Sequence, residues 1–416
     1  IHMAMKANLI LLAVGALIGT WILAGTVPTM IWLGLKLISA EYFYLTSCLI
    51  CALTALSIGS SWTVAGTLGI GLMGVAAGLG LDPAITAGAI ISGAYFGDKL
   101  SPLSDTTNLA PAAAGAELFA HIRLMLRTTV PALGIALVLF FILGQQADGS
   151  HDTARIAEVL RALESQFSLG WHLLLPVALL LFLAVRQWAA FPAVFVAALL
   201  GGVFAVVFQP EVMTRLADPA AGGLAPLKTV WTALFAGYES SSGNPELDGL
   251  LSKGGMASML TTVWLIICAM CFGGVLEKLG LLQRLLQSTL HLAKSTSSLI
   301  ASTIATTIGT NIITADQYIA LVLPGRMYRA EYEKRGLAAV NLSRALEDGG
   351  TLTSVLVPWN TCGAYMAATL GVATLSYLPY CFFNLLMPLL AITLAFIFPP
   401  QAIMPVQAER DDQSQA

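Results

Sequence analysis

Six segments of this chain, 7–35, 128–145, 171–186, 190–208, 254–276 and 378–398, are long and apolar enough to be read as crossings of a lipid bilayer. At 1.5 Å rise per residue, about 20 apolar residues cover the ~30 Å of hydrocarbon. Inside that layer every backbone N–H and C=O must be satisfied by the protein itself, so runs of this length are read as helices. Composition agrees, with 57% hydrophobic and only 10% charged residues where soluble domains carry roughly 25% charged. A nucleic-acid binder, a disordered scaffold and a secreted disulfide framework are excluded together. The formal net charge of −3 gives no reason to expect an acidic partner. The first apolar run is too long for a signal peptide, and because Ile1 rather than Met opens the sequence, further residues are expected upstream.

Between the crossings lie two stretches, 42–115 and 296–376, in which Gly, Pro, Ser, Thr, Asn and Asp interrupt the apolar pattern. The segment 296–324 has Gly309-Thr310-Asn311 at its middle, which leaves arms of about 14 residues, or ~21 Å each, too short to cross. Its flanks are basic on both sides, with Lys278, Arg284 and Lys294 before it and Arg326, Arg329, Lys334 and Arg335 after it. Positive residues favour the cytoplasmic side, so this segment is predicted to be a re-entrant hairpin with its tip at mid-membrane. Ile58-Gly59-Ser60 recurs as Ile308-Gly309-Thr310, and Asp105-Thr106 recurs as Asn360-Thr361. Each half therefore reads as a hairpin with a polar tip followed by a helix broken by polar residues. Alternating sides at every crossing puts the acid-rich loops 146–170 and 209–253 outside and the stretch 116–127, with Arg123 and Arg127, inside. The two hairpins then open to opposite sides.

The predicted fold is an all-α polytopic membrane protein with inverted-topology repeats, two re-entrant hairpins and two broken helices. Residues 7–145 form the first repeat (hairpin 42–81, broken helix 82–115) and 146–253 the external loops and connecting helices 171–208. Residues 254–398 form the second repeat (hairpin 296–324, broken helix 336–371), and 399–416 a cytoplasmic tail.

An Asp at bilayer depth costs about 2.5–3.5 kcal/mol on insertion scales, so each intramembrane acid needs a reason. The run from Gly93 to Asn108 holds Asp98 and Asp105 with the hydroxyls of Ser101 and Thr106, the amide of Asn108 and the helix-breaking Pro102. Oxygen ligands at a helix break suit Na⁺, and a carboxylate among them supplies the compensating charge. Lys99 adjoins Asp98, so Asp98 either neutralises that lysine or binds an ion, whereas Asp105 has no neighbouring base and is expected to do ion or proton work. In the second half Arg344 precedes Glu347 by three residues, a spacing that pairs them on one helix face. Asp348 is then the freer acid, joined by Thr351, Asn360 and Thr361. The expected tips supply Gly59, Ser60, Ser61 and Thr63 on one side and Gly309, Thr310, Asn311, Thr314 and Asp316 on the other. A membrane hydroxyl often bonds only the backbone one turn earlier, which is the competing reading for each Ser and Thr. The five histidines are expected in loops or at span ends. The pairs Cys48/Cys51 and Cys268/Cys271 are read as small buried residues, with no transition-metal site. No phosphate-binding Gly-x-x-x-x-Gly-Lys motif and no protease motif occurs, so the chain is not read as an enzyme.

The runs Gly19-Thr20-Trp21, Gly25-Thr26-Val27-Pro28, Gly59-Ser60-Ser61-Trp62-Thr63, Gly93 to Asn108, Glu347-Asp348-Gly349 and Pro358-Trp359-Asn360-Thr361 resemble the NhaC family of Na⁺/H⁺ antiporters. The likeness extends from about Ala7 to Phe398. It implies Na⁺/H⁺ exchange in the bacterial inner membrane, with no cofactor, by a transport domain that moves past a scaffold. It further implies a homodimer built through scaffold helices, and Na⁺ and H⁺ competing for buried carboxylates. Relatives that exchange malate and lactate make an organic-anion exchanger the alternative.

Overall fold

A computed structural model describes residues 2–146, 153–241, 248–249, 251–280, 284 and 295–397. Among the described residues the fold is helical, and strand pairing is confined to one bridge, Tyr238 to Lys253. The first half runs through α1 (His2–Leu23), α2 (Thr26–Leu37), α3 (Phe43–Ile58), α4 (Ser61–Gly78), α5 (Pro83–Leu100), α6 (Asp105–Ala114) and α7 (Leu118–Gln146). Helices α8 (Thr153–Gln166), α9 (Leu175–Val185), α10 (Ala190–Phe208) and α11 (Ala225–Phe235) connect the halves. The second half comprises α12 (Leu260–Lys278), α13 (Thr296–Thr314), α14 (Gln317–Lys334) and α15 (Ala339–Leu346, continued by a π-helical turn Glu347–Thr351 and a last turn Leu352–Ser354). It closes with α16 (Thr361–Leu370) and α17 (Phe382–Ile397).

Among the described residues five helices are long and apolar enough to cross a membrane, or up to eight if three bent pairs each count as one span. Two of the bends fall inside expected crossings, and the third falls just before the expected crossing 171–186. The segment 7–35 turns by 70° where Gly25 adopts a left-handed φ of 77° between α1 and α2. The segment 171–186 belongs to a pair bent by 89°, and 378–398 to a pair bent by 59°. Mean hydropathy registers the apolar length but not the backbone break, which is why these crossings read as straight. Lipid is as apolar as Leu, so side-chain burial alone gives membrane helices little reason to associate, and close backbone approach takes its place. Helix α4 turns Gly71, Gly74 and Gly78 toward Met30, Ile31 and Leu35 of α2. In α1, Gly15 and Gly19 meet the carbonyls of Gly255 and Ala233, while Trp21 Nε1 donates to Ala197 O of α10 at 3.1 Å. Leu126, Val130, Val138 and Phe141 remain exposed along α7, as a lipid-facing surface requires.

The tightest approach is between α3 and α5. A Cβ on Gly97 would stand 2.3 Å from both Ala52 O and Leu56 N, and one on Gly93 would stand 2.1 Å from Cys48 O. Those neighbours are backbone and cannot rotate away. Gly97→Ala is therefore expected to destabilise the protein by about 1–3 kcal/mol through forced separation of the helices. Gly134→Ala, where a Cβ meets open space, should be neutral or stabilising. Thermal unfolding of the two variants in detergent checks the contrast.

The halves repeat one another at a constant spacing of 256 positions. Helices α4 and α14 start at 61 and 317 and each contain 18 residues; α6 and α16 start at 105 and 361 and each contain 10. The left-handed residues match in the same way: Gly59 with Ala315, Gly80 with Gly336, and Gly115 with Gly371. So do the N-caps, Ser60 with Asp316 and Ser104 with Asn360. The sequence match that pairs Gly59 with Gly309 is thus six residues out of register. Gly309, Thr310 and Asn311 lie within α13, because Thr310 and Thr314 return their hydroxyls to the carbonyls of Thr306 and Thr310 and the helix continues. The turn falls at Ala315, and α14 extends to Lys334, ten residues past the expected end of the hairpin. Of two further expectations, one holds in position and one is corrected. His121 lies in the first turn of α7, at a span end, but is buried there rather than exposed in a loop, and Cys268 and Cys271 are exposed on α12 while Cys48 and Cys51 are buried.

Candidate functional site

Four helices begin at one place. Ser61, Asp105, Gln317 and Thr361 are the first residues of α4, α6, α14 and α16, and all four line a cavity of about 90 Å³. Ala7 and Ile10 of α1 and Ala190 of α10 complete its wall. Each helix start presents unpaired N–H groups equivalent to roughly half a positive charge, so the four together bring about two. Three carboxylates, Asp98, Asp105 and Asp316, line the same cavity. The balance is about one negative charge, in a cavity that no Lys or Arg lines.

Each acid is held by a specific element. Asp98 Oδ2 accepts from Ser61 N at 3.0 Å and Ser61 Oγ at 2.6 Å, so the end of α5 caps the start of α4. Its Oδ1 is buried with no hydrogen-bond partner. Asp316 Oδ1 accepts from Ile319 N at 3.0 Å and caps its own helix. Asp105 Oδ2 accepts from Tyr318 OH at 2.6 Å, a contact between the two halves. Asp105, Ser60 and Ala190 also line a second cavity of about 510 Å³ that reaches Asn108, Gln187 and Trp188. Asp105 is exposed toward it, whereas Asp98 and Asp316 are buried. Among the described residues no three His, Cys, Asp or Glu side chains converge closely enough to make a ready metal cluster. An ion here would draw on one or two carboxylates together with hydroxyl and carbonyl oxygens.

The second tip is fixed by amides. Asn311 Nδ2 donates to Gly350 O and to Thr353 Oγ1, and Asn360 Nδ2 donates to Asn311 O and Oδ1, both at 3.2 Å. Ala315 O accepts from Thr361 N at 2.9 Å. These bonds hold Ala315 at a φ of 58°, a left-handed conformation that costs a residue with a Cβ about 1–2 kcal/mol.

The sequence model of the Na⁺/H⁺ antiporter family matches residues 93–397, which contain the break at Asp105, the second pair of helices and the break at Asn360. The chain belongs to the Na⁺/H⁺ antiporter family. It is 40% identical to the Na⁺/H⁺ antiporter NhaC of Alkalihalophilus pseudofirmus over 397 residues, 95% of this chain and 83% of that protein. It is 35% identical to NhaC of Bacillus subtilis over 391 residues, 94% and 83% of the two chains. It is also 37% identical to the malate-2H⁺/Na⁺-lactate antiporter of Bacillus subtilis over 395 residues, 95% and 81%.

Of the antiporter's residues singled out from sequence, Ser60, Ser61, Asp98, Asp105, Asp316 and Thr361 come together in the cavity. Thr63 and Asn108 line the larger one, and Gly59 supplies the left-handed turn beside it. The remainder shape the breaks. Ser101 Oγ accepts from Leu103 N at 3.3 Å, Thr106 Oγ1 meets Ser104 Oγ at 3.1 Å, and Asn108 Nδ2 donates to Pro102 O and Ser104 O. Asn360 Oδ1 caps α16 at Cys362 N. Asp348 and Thr351 lie elsewhere. Lys99 Nζ is 2.6 Å from Asp348 Oδ1, and both side chains are 0% exposed. Lys99 therefore serves neither Asp98 nor Glu347, and Arg344 Nε stands 3.8 Å from Asp348 Oδ2. The expected Arg344–Glu347 pairing is corrected, the alternative in which Asp98 neutralises Lys99 falls away, and Asp348 is the paired acid rather than the freer one. The i to i+3 spacing put Arg344 and Glu347 on one face, but a partner 249 positions away is invisible to local spacing. Sequence reasoning also missed Gln317 and Tyr318, although their position directly after the N-cap Asp316 is a readable signal.

Proposed function

We propose that this protein exchanges Na⁺ for H⁺ across the bacterial inner membrane, the two ions competing at the cavity of Asp98, Asp105 and Asp316. The observation that carries the reading is the cavity's lining, with three carboxylates, oxygen donors and, among the described residues, no Lys or Arg, which on helix-dipole arithmetic leaves a charge of about one negative unit. A single Na⁺ or a single proton neutralises it, and binding of either lowers affinity for the other. A dicarboxylate would raise the charge to about minus three with no cation to receive it. The relative that exchanges malate and lactate keeps organic-anion exchange as the second reading.

The repeat at constant spacing supports inverted-topology halves, and the cavity's position between the helix starts and the wall of α1 and α10 supports a transport domain moving against a scaffold. In this arrangement the connecting segments that carry α8 and α11 face outward, Arg329 faces the cytoplasm, and two copies pair through scaffold helices. Neither a transition metal nor a cofactor takes part, since the ion gradients supply the free energy. Proteoliposomes free of organic acid test the reading: an imposed pH gradient should drive ²²Na⁺ uptake, with apparent Na⁺ affinity weakening as pH falls. Flux that appears only when malate, lactate or another carboxylate is added would transfer the assignment to organic-anion exchange.

A further inference from the structure

Where α5, α7 and α15 meet, several buried polar atoms lack a hydrogen-bond partner: Arg344 Nε, Glu347 Oε1 and Oε2, Asp348 Oδ2, Thr351 Oγ1 and His121 Nε2. Such atoms are rare in folded proteins, and each one calls for an explanation. Glu347 is the most demanding. It is 0% exposed, no ion pair reaches it among the described residues, and the Thr351 hydroxyl beside its carboxyl stands outside good hydrogen-bond geometry. The two nearby cations are committed elsewhere, Lys99 at 2.6 Å from one oxygen of Asp348 and Arg344 at 3.8 Å from the other. An ionised carboxylate left in that state costs several kcal/mol, whereas a protonated carboxyl carries no charge to desolvate.

We propose that Glu347 is a proton-binding site separate from the ion cavity, and that its proton determines whether Lys99 and Arg344 remain on Asp348. With the proton bound, Glu347 is neutral and both cations stay where the structure places them. When the O–H bond breaks and the proton passes to water, the new carboxylate competes with Asp348 for the same two cations. Lys99 lies on α5 in the first half and Asp348 on α15 in the second, so this competition acts on the contact that joins the halves. The π-helical turn Glu347–Thr351 widens the helix at this point, a distortion frequent at functional sites. The charged and titratable groups facing Glu347 are Asp98 and Lys99 of α5, Arg344 and Asp348 of its own helix, and beyond them His121 of α7 and Tyr332 of α14. His121 is tied to the cluster by Ser343 Oγ, 2.8 Å from its Nδ1.

The site extends the exchange reading and can be tested without transport. Infrared spectra of the purified protein in lipid, recorded at neutral pH, separate the carboxyls, because exposed ones titrate near pH ~4 and carry no proton there. With saturating Na⁺, which should displace protons from the cavity acids, the wild type should retain a protonated-carboxyl band. Glu347→Gln, an uncharged stand-in for the protonated acid, should lose it. Glu347→Asp should instead shift its frequency, which covers the case in which the glutamine variant does not fold. Absence of the band in Na⁺-saturated wild type, or its persistence at full intensity in Glu347→Gln, would overturn the proposal. If Na⁺ removes no carboxyl band from the wild type, the exchange reading fails, while the Glu347 comparison still stands or falls on its own band.

Discussion

Asp98→Asn should eliminate Na⁺-dependent proton movement in proteoliposomes while the protein still folds and inserts. Asparagine retains an oxygen for Ser61 N and Ser61 Oγ, at 3.0 and 2.6 Å in the native site, so the cap on α4 survives. What is lost is the charge. A carboxylate about 2.5 Å from Na⁺ at an effective dielectric of ~20 contributes about 7 kcal/mol before desolvation. Even a net third of that weakens Na⁺ binding on the order of 50-fold, and the proton-accepting group is gone as well. Asp105→Asn should be milder, about tenfold in Na⁺ affinity, because Asp105 is exposed to the larger cavity and screened by it. Measuring ²²Na⁺ uptake against Na⁺ concentration separates the two variants. Wild-type exchange in Asp98→Asn would remove that residue from the ion site, and an Asp105→Asn loss exceeding that of Asp98→Asn would reverse the ranking.

Lys99→Met should be the most destabilising single change at the centre of the protein. It leaves Asp348 buried, with Arg344 at 3.8 Å as its remaining cation, and breaking a buried pair in this way typically costs about 3–5 kcal/mol. The double variant Lys99→Met with Asp348→Leu removes both charges and should recover most of the loss, since the cost comes from the unpaired ion and not from the missing bond. Yield of monodisperse protein and its unfolding temperature in detergent report both steps. A double variant no more stable than the single one would show that the ammonium packs rather than pairs.

The parts of this architecture legible in the sequence are those written in short-range chemistry. Apolar length marked helices long enough to cross at 128–145, 190–208 and 254–276, and the hydroxyl and carboxylate run from Gly93 to Asn108 marked the first break, now seen as the end of α5 and the start of α6. The first tip was equally readable because Gly59 occupies the left-handed turn and Ser60 caps the helix behind it. At the second tip that position is held by Ala315. Alanine carries no turn signal, so the nearby glycine at 309 attracted the turn six residues too early. Charge pairing was the least legible. Lys99 stands beside Asp98, yet tertiary packing directs it to Asp348, while Arg344 meets Asp348 at i to i+4 rather than Glu347 at i to i+3, a choice that local spacing leaves open.

The Lys99–Asp348 bond also constrains how the protein is made. The partners lie 249 positions apart in the chain, and synthesis proceeds at about 5–20 residues per second, so the lysine leaves the ribosome roughly 12–50 s before the aspartate exists. For that interval α5 carries its lysine without the carboxylate that holds it in the finished protein. The first half of the chain therefore cannot complete the packing around Lys99 until the second half has been made.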